Sequence, residues 1–356
     1  MPRRDPGPRL KILVLAGGPD RERPVSLLSG QAVADALVEA GHEVQMRDVG
    51  PEDLTALDAF SRWGGDVVFP VLHGRWGEGG SLQRALDLRG LPYVGSAAAA
   101  SELCMDKHRT KELLDAHDLP TPAFELLGPR DIRTIDPPVV LKPIDEGSSI
   151  DLLICHDKEQ LRTARQHLGQ HYQRILLEQF IEGKELTVGV LGPRDPAHDP
   201  EDLVPLPPIR IIPATPFYDY AAKYDRDDTQ YLLDRTSIGL GDQVLADVQR
   251  LALEAHRLCG CRHLSRVDFI VDDRGRPWIL EINTVPGFTT HSLVPKAAAH
   301  IGLPMPQLVD RLVRMAVASV ATSCQLVEHT SNSPQTAGGE LAAPTGSSMG
   351  STRLRV

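Results

Sequence analysis

Residues 266–283 read RVDFIVDDRGRPWILEIN, and they contain the strongest structural signal in the chain. Two apolar runs, Val267–Val271 and Trp278–Ile282, predict β-strands. Side chains alternate between the two faces of a strand, so polar residues two positions apart share a face. The polar pairs that share a face in this way are Arg266 with Asp268, and Glu281 with Asn283.

If these two strands pair, two carboxylates and one carboxamide converge at one place. Oxygen ligands of this kind suit Mg²⁺, which keeps part of its water shell and bridges phosphate groups. Two ordinary strands with solvated outer faces are the alternative, and residues 266–283 alone do not separate the two hypotheses.

The N-terminal part of the sequence alternates predicted strands with predicted helices. Leu10–Ala16 is an apolar run with one lysine that ends at a pair of glycines, which is typical of a buried parallel strand. Pro24 suits the first turn of a helix, and further strands are predicted at Glu43–Val49 and Val67–Leu72. This alternation predicts a doubly wound, Rossmann-like α/β domain, which we place at residues 1–103.

Three further segments are predicted after this domain. A small α+β subdomain at residues 104–185 contains the strand Val139–Lys142, which leads into a polar turn. A second subdomain at residues 186–321 contains the two strands with polar faces and ends in a helix at Pro306–Ser319. Residues 322–356 are rich in Ser, Thr, Gly and Ala without apolar periodicity, and we expect them to form a disordered tail.

Two loops have the composition of anion-binding sites. Lys142 ends a predicted strand shortly before Glu146–Ser149, and an ammonium group beside a Gly/Ser turn suits a phosphate. Ser292 precedes a predicted helix, whose N-terminal amides suit an anion such as a carboxylate. Without the other motifs, a plain surface turn would be the preferred explanation of the first loop. For the second loop, Ser292 could be a plain helix cap, and a cap and an anion site can hold at once.

The composition narrows the class of protein. The 356 residues carry a net charge of −10 and no long basic stretch, which argues against nucleic acid as the main partner. No apolar run reaches the length of a membrane span, and no apolar segment follows the N-terminal arginines. We therefore expect a cytoplasmic protein without a membrane partner. Five cysteines without metal-site or disulfide spacing predict reduced, buried thiols.

Many short motifs follow one another along residues 11–315, and their order and wording resemble the ATP-grasp ligases and, within them, the D-alanine–D-alanine ligase family. The resemblance implies an ATP-grasp fold with α/β and α+β parts behind the Rossmann-like N-terminal domain. The motifs outside the 266–283 stretch are Gly17-Gly18, Glu22-Arg23, Val25-Ser26-Leu27, His73-Gly74-Arg75 with Glu78, Met105-Asp106-Lys107, Lys142-Pro143, Glu146-Gly147-Ser148-Ser149, Leu177-Glu178, Glu185-Leu186-Thr187-Val188, Phe217–Tyr224, Thr229-Gln230-Tyr231, Pro286-Gly287 and His291–Pro295.

The resemblance implies a nucleotide site with two divalent ions, either Mg²⁺ or Mn²⁺. Lysines would hold the ATP phosphates, a Gly/Ser loop would close over them, and residues near the next strand would contact the adenine and the ribose. The residues implied for ATP are Lys107, Lys142, Glu146, Gly147, Ser149, Ile150, Glu178, Ile181 and Glu185, and those implied for the ions are Asp268, Glu281 and Asn283.

The resemblance further implies that two D-alanine molecules are ligated through an acylphosphate, for peptidoglycan precursors of the cell wall, by a homodimeric enzyme. The implied substrate-binding residues are Glu22, His73, Lys223, Arg266, Ser292 and Leu293. Those implied for catalysis are Glu22, Ser148 and Tyr224, which would tie a mobile loop across the site and exclude water, and Arg266 and Gly287, which would stabilise the oxyanion.

Three residues depart from the family pattern. Asp20 replaces a small polar residue, Pro24 replaces a second acidic residue, and Asp151 replaces a glycine of the phosphate loop. We expect Asp151 to point away from the nucleotide, because a carboxylate within about 4 Å of a phosphate would cost a few kcal/mol. The alternative is that the phosphate loop closes poorly, so that the enzyme is slow or needs another substrate. The implied catalytic residues are all present, so we expect an active enzyme. A ligase that makes D-alanine–D-lactate or another dipeptide, and a nucleotide-binding regulator without turnover, are the rival hypotheses.

Overall fold

The computed structural model describes residues 7–128, 131–192, 203–214, 228–289 and 291–331. The chain forms two compact units, Met1–Val320 and Ala321–Val356. The described strands form three sheets, all within the first unit. The division of this unit into three domains stays a prediction.

The first sheet is parallel, with the strand order β2-β1-β3. Consecutive side chains of its central strand point to opposite faces of the sheet. Ile12 packs with the first helix on one face, and Leu13 packs with Leu57 and Leu82 of later helices on the other. A strand buried on both faces explains the continuous apolar run, and helices on both faces confirm the predicted doubly wound arrangement. The elements are β1 (Lys11–Gly17), α1 (Arg23–Glu39), β2 (Glu43–Val49), α2 (Thr55–Trp63), β3 (Val67–Pro70), α3 (Gly74–Glu78) and α4 (Ser81–Asp87).

The second sheet is antiparallel and has the order β4-β7-β5-β6. Its apolar face packs against one helix, in which Leu161 and Leu168 are buried with Val139 and Leu141 of the sheet. Two helices precede it along the chain. The elements are α5 (Ala98–Met105), α6 (Lys107–Asp115), β4 (Phe124–Leu127), β5 (Val139–Pro143), β6 (Leu153–Cys155), α7 (Lys158–Leu168) and β7 (Ile175–Gln179).

The third sheet has the order β11-β10-β8-β12-β13, with β9 beside β8, and its described pairings are all antiparallel. Its long helix buries Leu245 and Val248 in the same core as Val188 and Phe269 of the sheet. The elements are β8 (Gly183–Gly192), β9 (Val204–Pro205), β10 (Ile209–Ile212), β11 (Gln230–Leu232), α8 (Arg235–Ile238), α9 (Asp242–Leu258), β12 (His263–Asp272), β13 (Pro277–Asn283), α10 (Leu293–His300) and α11 (Met305–Ser331).

The last helix is longer than the sequence predicted. The predicted helix ended at Ser319, but α11 continues to Ser331, so residues 322–331 are helical rather than disordered. Buried Leu308 and Leu312 hold its first turns in the core, and extending an existing helix is easier than nucleating a new one. The rest of the predicted tail, residues 332–356, lies outside the described residues.

Two further expectations concern cysteines and membranes. Cys104, Cys155, Cys259 and Cys261 are free and buried, as predicted. The side chain of Cys324 lies outside the described residues. Within the described ranges, every helix falls short of the length or apolarity that crossing a membrane requires.

Candidate functional site

The two strands of residues 266–283 pair with each other. Asp268 lies opposite Glu281, and Arg266 lies opposite Asn283, with a bulge directly after Asp268. Opposite side chains in an antiparallel pair project from the same face, so the predicted convergence of these polar groups is confirmed. The Asp268 carboxylate accepts two hydrogen bonds from the Arg266 guanidinium, at 2.9 and 2.7 Å, and one from Asn283 Nδ2 at 3.0 Å.

The donor groups at this place fit a hard divalent cation. They comprise the carboxylates of Asp268 and Glu281 and the carboxamide of Asn283, all of which offer oxygen. In the described part of the chain, no cluster of three or more His, Cys, Asp or Glu side chains could hold a metal ion. This set has two such side chains with an amide as the third. Thr187, whose role the sequence did not predict, donates to Asp268 Oδ1 at 2.6 Å from the neighbouring strand.

Two lysines share the carboxylate of Glu178. Lys142 Nζ lies 2.8 Å from Glu178 Oε2, and Lys111 Nζ lies 2.8 Å from Oε1. Burial alone would raise the pKa of the Glu178 carboxyl, but the two lysines hold this pKa below its usual value. Sequence reasoning missed Lys111, although it lies four residues after Lys107 and therefore on the same helix face.

The loop after β5 adopts an unusual backbone. Ser148, Ser149 and Asp151 have φ angles of +51°, +58° and +56°, a region that non-glycine residues rarely adopt. The Ser148 hydroxyl donates a hydrogen bond to the Glu22 carboxylate. A Cβ atom on Gly147 would approach Glu22 Oε2 to 2.8 Å, so glycine is needed for this close contact. The loop is thereby attached to the segment that precedes α1.

Asp151 points away from the cavities of this site. Its Oδ2 atom accepts a hydrogen bond of 2.6 Å from the Tyr172 hydroxyl. Burial and this hydrogen bond both raise the pKa of Tyr172. Asp151 does not line any of the three cavities beside the loop, which agrees with the outward orientation expected from the charge of a phosphate.

Three cavities follow one another between the sheets. The largest, of about 380 Å³, is lined by strands of the second and third sheets and has room for a purine ring. The middle cavity shares Lys142 and Glu185 with it, and shares Arg266 and Glu281 with the third cavity. Because neighbouring cavities share lining residues, the three lie in a row from an apolar end to a polar end, and we call this row the channel.

The channel gathers most residues that the sequence singled out. Its large end contains Glu178, Ile181 and Glu185. The middle contains Lys107, Lys142, Glu146, Ser149, Ile150, Asp268 and Glu281. The small end contains Glu22, His73, Gly147, Ser148, Arg266, Asn283, Gly287, Ser292 and Leu293. Lys223 and Tyr224 lie outside the described residues.

The small end of the channel contains a buried base with a lowered pKa and a buried acid with a raised pKa. His73 is buried, its Nε2 atom has no hydrogen-bond partner, and burial lowers its pKa. Burial and the charge of Glu22 raise the pKa of Glu78 to about 8. A buried polar atom without a partner calls for a ligand or water. Glu78 belongs to the motif that begins with His73-Gly74-Arg75, but its raised pKa results from burial and neighbouring charges that the sequence does not reveal.

The start of α10 forms one wall of the small end. Ser292 occupies the N-cap position, yet its side chain makes no capping hydrogen bond to that helix, so the plain-cap explanation is wrong. Its hydroxyl oxygen instead accepts a hydrogen bond of 2.9 Å from the Thr289 amide. Ser292 also packs closely against the Gly287 backbone. A Cβ atom on Gly287 would lie 2.7 Å from Ser292 Oγ, so a larger residue at position 287 would displace the serine side chain.

Asp20 and Pro24, the other departures from the family pattern, have structural explanations. Asp20 Oδ2 accepts a hydrogen bond of 3.0 Å from the Trp76 amide in α3, and burial raises the pKa of Asp20. Pro24 lies in the first turn of α1, as predicted.

Comparisons with known proteins agree with this geometry. The family described as the C-terminus of D-ala D-ala ligase matches residues 126–314, and the family described as its N-terminus matches residues 55–96. The D-alanine--D-alanine ligase of Bordetella petrii is 43% identical over 324 residues, which cover 90% of this chain and 96% of that protein. The D-alanine--D-alanine ligase of Chromohalobacter salexigens is 44% identical over 308 residues, which cover 85% of this chain and 93% of that protein.

Solved structures are similar over most of their length. The D-alanine-D-alanine ligase from Coxiella burnetii aligns with a TM-score of 0.73 at 25% identity, covering 91% of this chain and 99% of that chain. The D-alanine--D-alanine ligase from Bacillus anthracis complexed with ATP aligns with a TM-score of 0.73 at 27% identity, covering 89% and 100%.

Proposed function

Because the chain belongs to the D-alanine–D-alanine ligase family and has the ATP-grasp fold that its sequence predicted, we propose that it joins two D-alanine molecules into D-alanyl-D-alanine for peptidoglycan synthesis, with conversion of ATP to ADP and phosphate. The observation that supports this proposal is the row of three adjacent cavities, whose large end has the volume for a purine ring and whose small end is lined by polar groups.

The nucleotide would lie with its adenine in the large cavity and its phosphates in the middle one. Lys107 supports this orientation, because its Nζ atom donates to the Glu146 carbonyl at 2.6 Å and lies 3.6 Å from Glu281. Lys142 adds a second ammonium group at the boundary between the two cavities. Cations at these places favour the polyphosphate and orient its γ-phosphoryl group toward the small end.

Asp268, Glu281 and Asn283 would hold the two Mg²⁺ or Mn²⁺ ions of this site. Divalent ions bound there neutralise negative charge on the phosphoryl oxygens of the nucleotide. Arg266, which contacts Asp268 and lines both the middle and the small cavity, adds a fixed positive charge next to them.

In the first step, a carboxylate oxygen of the first D-alanine attacks the γ-phosphorus, the bond to ADP breaks, and an acylphosphate forms. Buried Glu22 would bind the ammonium group of this D-alanine, and His73 would lie beside it. Because phosphoryl transfer needs mainly positioning and charge neutralisation, these contacts account for most of what the protein must supply.

In the second step, the amine of the second D-alanine attacks the acyl carbon and phosphate leaves. Arg266 and the Gly287 amide would stabilise the oxyanion that forms on the carbonyl oxygen. Ser292 and the Leu293 amide, at the start of α10, would hold the carboxylate of the second molecule. From the family resemblance we propose that Lys223 helps to hold this carboxylate and that Tyr224 helps to exclude water.

We also propose that the protein acts as a homodimer in the cytoplasm, which rests on the family resemblance and on the use of ATP. Size-exclusion chromatography with light scattering tests the first point. A single peak with the mass of one chain would contradict it.

The reaction is tested by incubating the protein with ATP, Mg²⁺ and D-alanine, measuring ADP and identifying the product by mass spectrometry. We expect ADP release that depends on D-alanine, one dipeptide per ADP, no activity with L-alanine and no activity after EDTA treatment. Nucleotide binding without ADP release would support the regulator hypothesis. A product that contains D-lactate, when both second substrates are supplied at neutral pH, would identify a depsipeptide ligase.

A further inference from the structure

Lys111 is a fully buried lysine for which the proposed reaction has no use. Its side chain is 1% exposed, and it lies in α6 within 2.8 Å of Glu178 Oε1. This contact is a buried ion pair. The ammonium group also donates to the Thr121 hydroxyl, which in turn donates to the Ile279 carbonyl at 2.9 Å. Lys111 is therefore anchored to β13 as well as to Glu178.

Glu178 needs a positive partner at all times. Its side chain is 4% exposed, and a carboxylate removed from water is strongly destabilising without a compensating cation. In this structure it has two such cations, Lys111 and Lys142, so the cluster of three side chains carries one net positive charge. Burial lowers the pKa of Lys111 to about 8, opposed by the charge of Glu178.

The two lysines differ in their access to the channel. Lys142 lines both the large and the middle cavity, at the place proposed for the nucleotide phosphates. Lys111 lines none of the three cavities and is held by the core contacts of α6. A phosphate can therefore recruit Lys142 but not Lys111.

We propose that Lys111 is a positioning residue that acts as the permanent counter-ion of Glu178, so that Lys142 can move from this carboxylate to a phosphate of the nucleotide. Without Lys111, the departure of Lys142 would leave a buried carboxylate without a cation, and Lys142 would stay on Glu178. This inference rests on the nucleotide orientation proposed above. Within that site, Lys111 would determine how tightly the phosphates of the nucleotide bind.

The test compares ADP with adenosine, both measured by calorimetry in the presence of Mg²⁺. In Lys111→Met, a substitution of similar length without charge, we expect the Kd for ADP to rise at least tenfold. The Kd for adenosine should change less than twofold, because adenosine does not require Lys142 to leave Glu178. Equal weakening of both ligands would overturn the proposal, since it would indicate a general distortion of the cavity. Unchanged ADP binding would overturn it as well.

A second substitution separates charge from packing. Lys111→Met combined with Glu178→Gln restores the net charge of the cluster to one, as Lys142 then has no carboxylate to hold it. Because Glu178 also lines the cavity proposed for adenine, the quantity compared is the ratio of the Kd for ADP to the Kd for adenosine. We expect this ratio in the double variant to return to within threefold of the wild type. If Lys111 mattered only for packing, the second substitution would bring no recovery, and that result would also overturn the proposal.

Two further variants complete the design. Lys11→Met removes a lysine that contacts Trp63 and lines none of the three cavities, and it should bind both ligands as the wild type does. Should Lys111→Met fail to fold, Thr121→Val keeps all charges while loosening Lys111. It should weaken ADP binding about threefold, a change of roughly 0.6 kcal/mol, without affecting adenosine, and unchanged ADP binding would contradict the proposal.

These measurements do not require turnover. A wild-type protein that binds ADP but forms no dipeptide would refute the proposed reaction and leave this inference intact. Normal ADP binding by Lys111→Met, in a protein that does form the dipeptide, would refute this inference alone.

Discussion

Asp151 departs from the family pattern, and it lines none of the three cavities of the site. Its backbone has a φ of +56°, which is the conformation that favours glycine. Its carboxylate is turned toward the Tyr172 hydroxyl rather than toward the channel. The hydrogen bond from Tyr172 stabilises Asp151 in a backbone conformation that glycine would adopt without strain.

Replacing Asp151 with glycine should therefore change the KM for ATP less than about threefold. The substitution removes a hydrogen bond worth about 1 kcal/mol and relieves a left-handed conformation that costs a non-glycine residue about 1 kcal/mol. These effects oppose each other. Steady-state kinetics at saturating D-alanine measure the outcome, with Asp151→Asn as the control that keeps an acceptor. A tenfold lower KM in the glycine variant would mean that Asp151 restrains the loop.

Glu78 should make the stability of the protein depend on pH. The folded protein keeps a proton on Glu78 up to about pH 8, whereas the ordinary pKa of this group is 4.5. Between these values the folded state binds the extra proton, so this group lowers stability as pH rises. Glu78→Gln removes the effect and should raise the melting temperature more at pH 8.5 than at pH 5.

Calorimetry at several pH values measures this difference, and the substitution Glu52→Gln at an exposed position is the matched control. In the Glu78→Gln variant, the oxygen of the introduced carboxamide can still accept the hydrogen bond that Glu78 accepts from the Gly74 amide. A melting temperature difference that stays constant with pH would contradict the raised pKa of Glu78.

At the scale of single elements, the first part of helix α11 carries a buried apolar face. Among the α11 side chains that the structure describes, which end at Ser319, the buried apolar residues include Leu308, Leu312 and Ala316. Their spacing of three to four residues places them on one face. The compact unit to which they belong ends at Val320.

Removal of residues 325–356 should therefore leave both activity and melting temperature nearly unchanged, although it shortens α11. The retained residues include the whole buried face described here, and the removed composition offers little apolar surface. As a control, Leu312→Ala within the buried face should cost about 2–5 kcal/mol and lower the melting temperature clearly. A fall of several degrees in the truncated protein would show that the removed segment docks.

At the scale of the whole molecule, the channel is lined by strands of the second and third sheets and, at its small end, also by Glu22, His73 and Glu78 from the part of the chain that forms the first sheet. The loop after β5 belongs to the second sheet, but its Ser148 contacts Glu22 of the N-terminal segment. Arg75 adds a second bridge, since its Nη1 atom lies 3.2 Å from Asp145 Oδ2. These contacts close the small end of the channel, where the acylphosphate would form.

Ser148→Ala should consequently uncouple ATP use from dipeptide formation. A loosened loop admits water, which competes with the second D-alanine for the acylphosphate. We expect more than one ADP per dipeptide in this variant, measured by parallel assays of ADP and product. Ser237→Ala, at an exposed position of α8, is the control. If one ADP per dipeptide persists in Ser148→Ala, this contact does not exclude water.

The amino-acid sequence by itself determined the strands β1, β2, β3, β5, β12 and β13, the family and the convergence of Asp268, Glu281 and Asn283. These features depend on short-range patterns, because alternation along a strand and the pairing of neighbouring strands are local. Only the tertiary structure decided the partners of Glu178 and Asp151, the raised pKa of Glu78 and the length of α11. These properties depend on burial and on contacts between residues far apart in the chain, and neither is encoded in a local pattern.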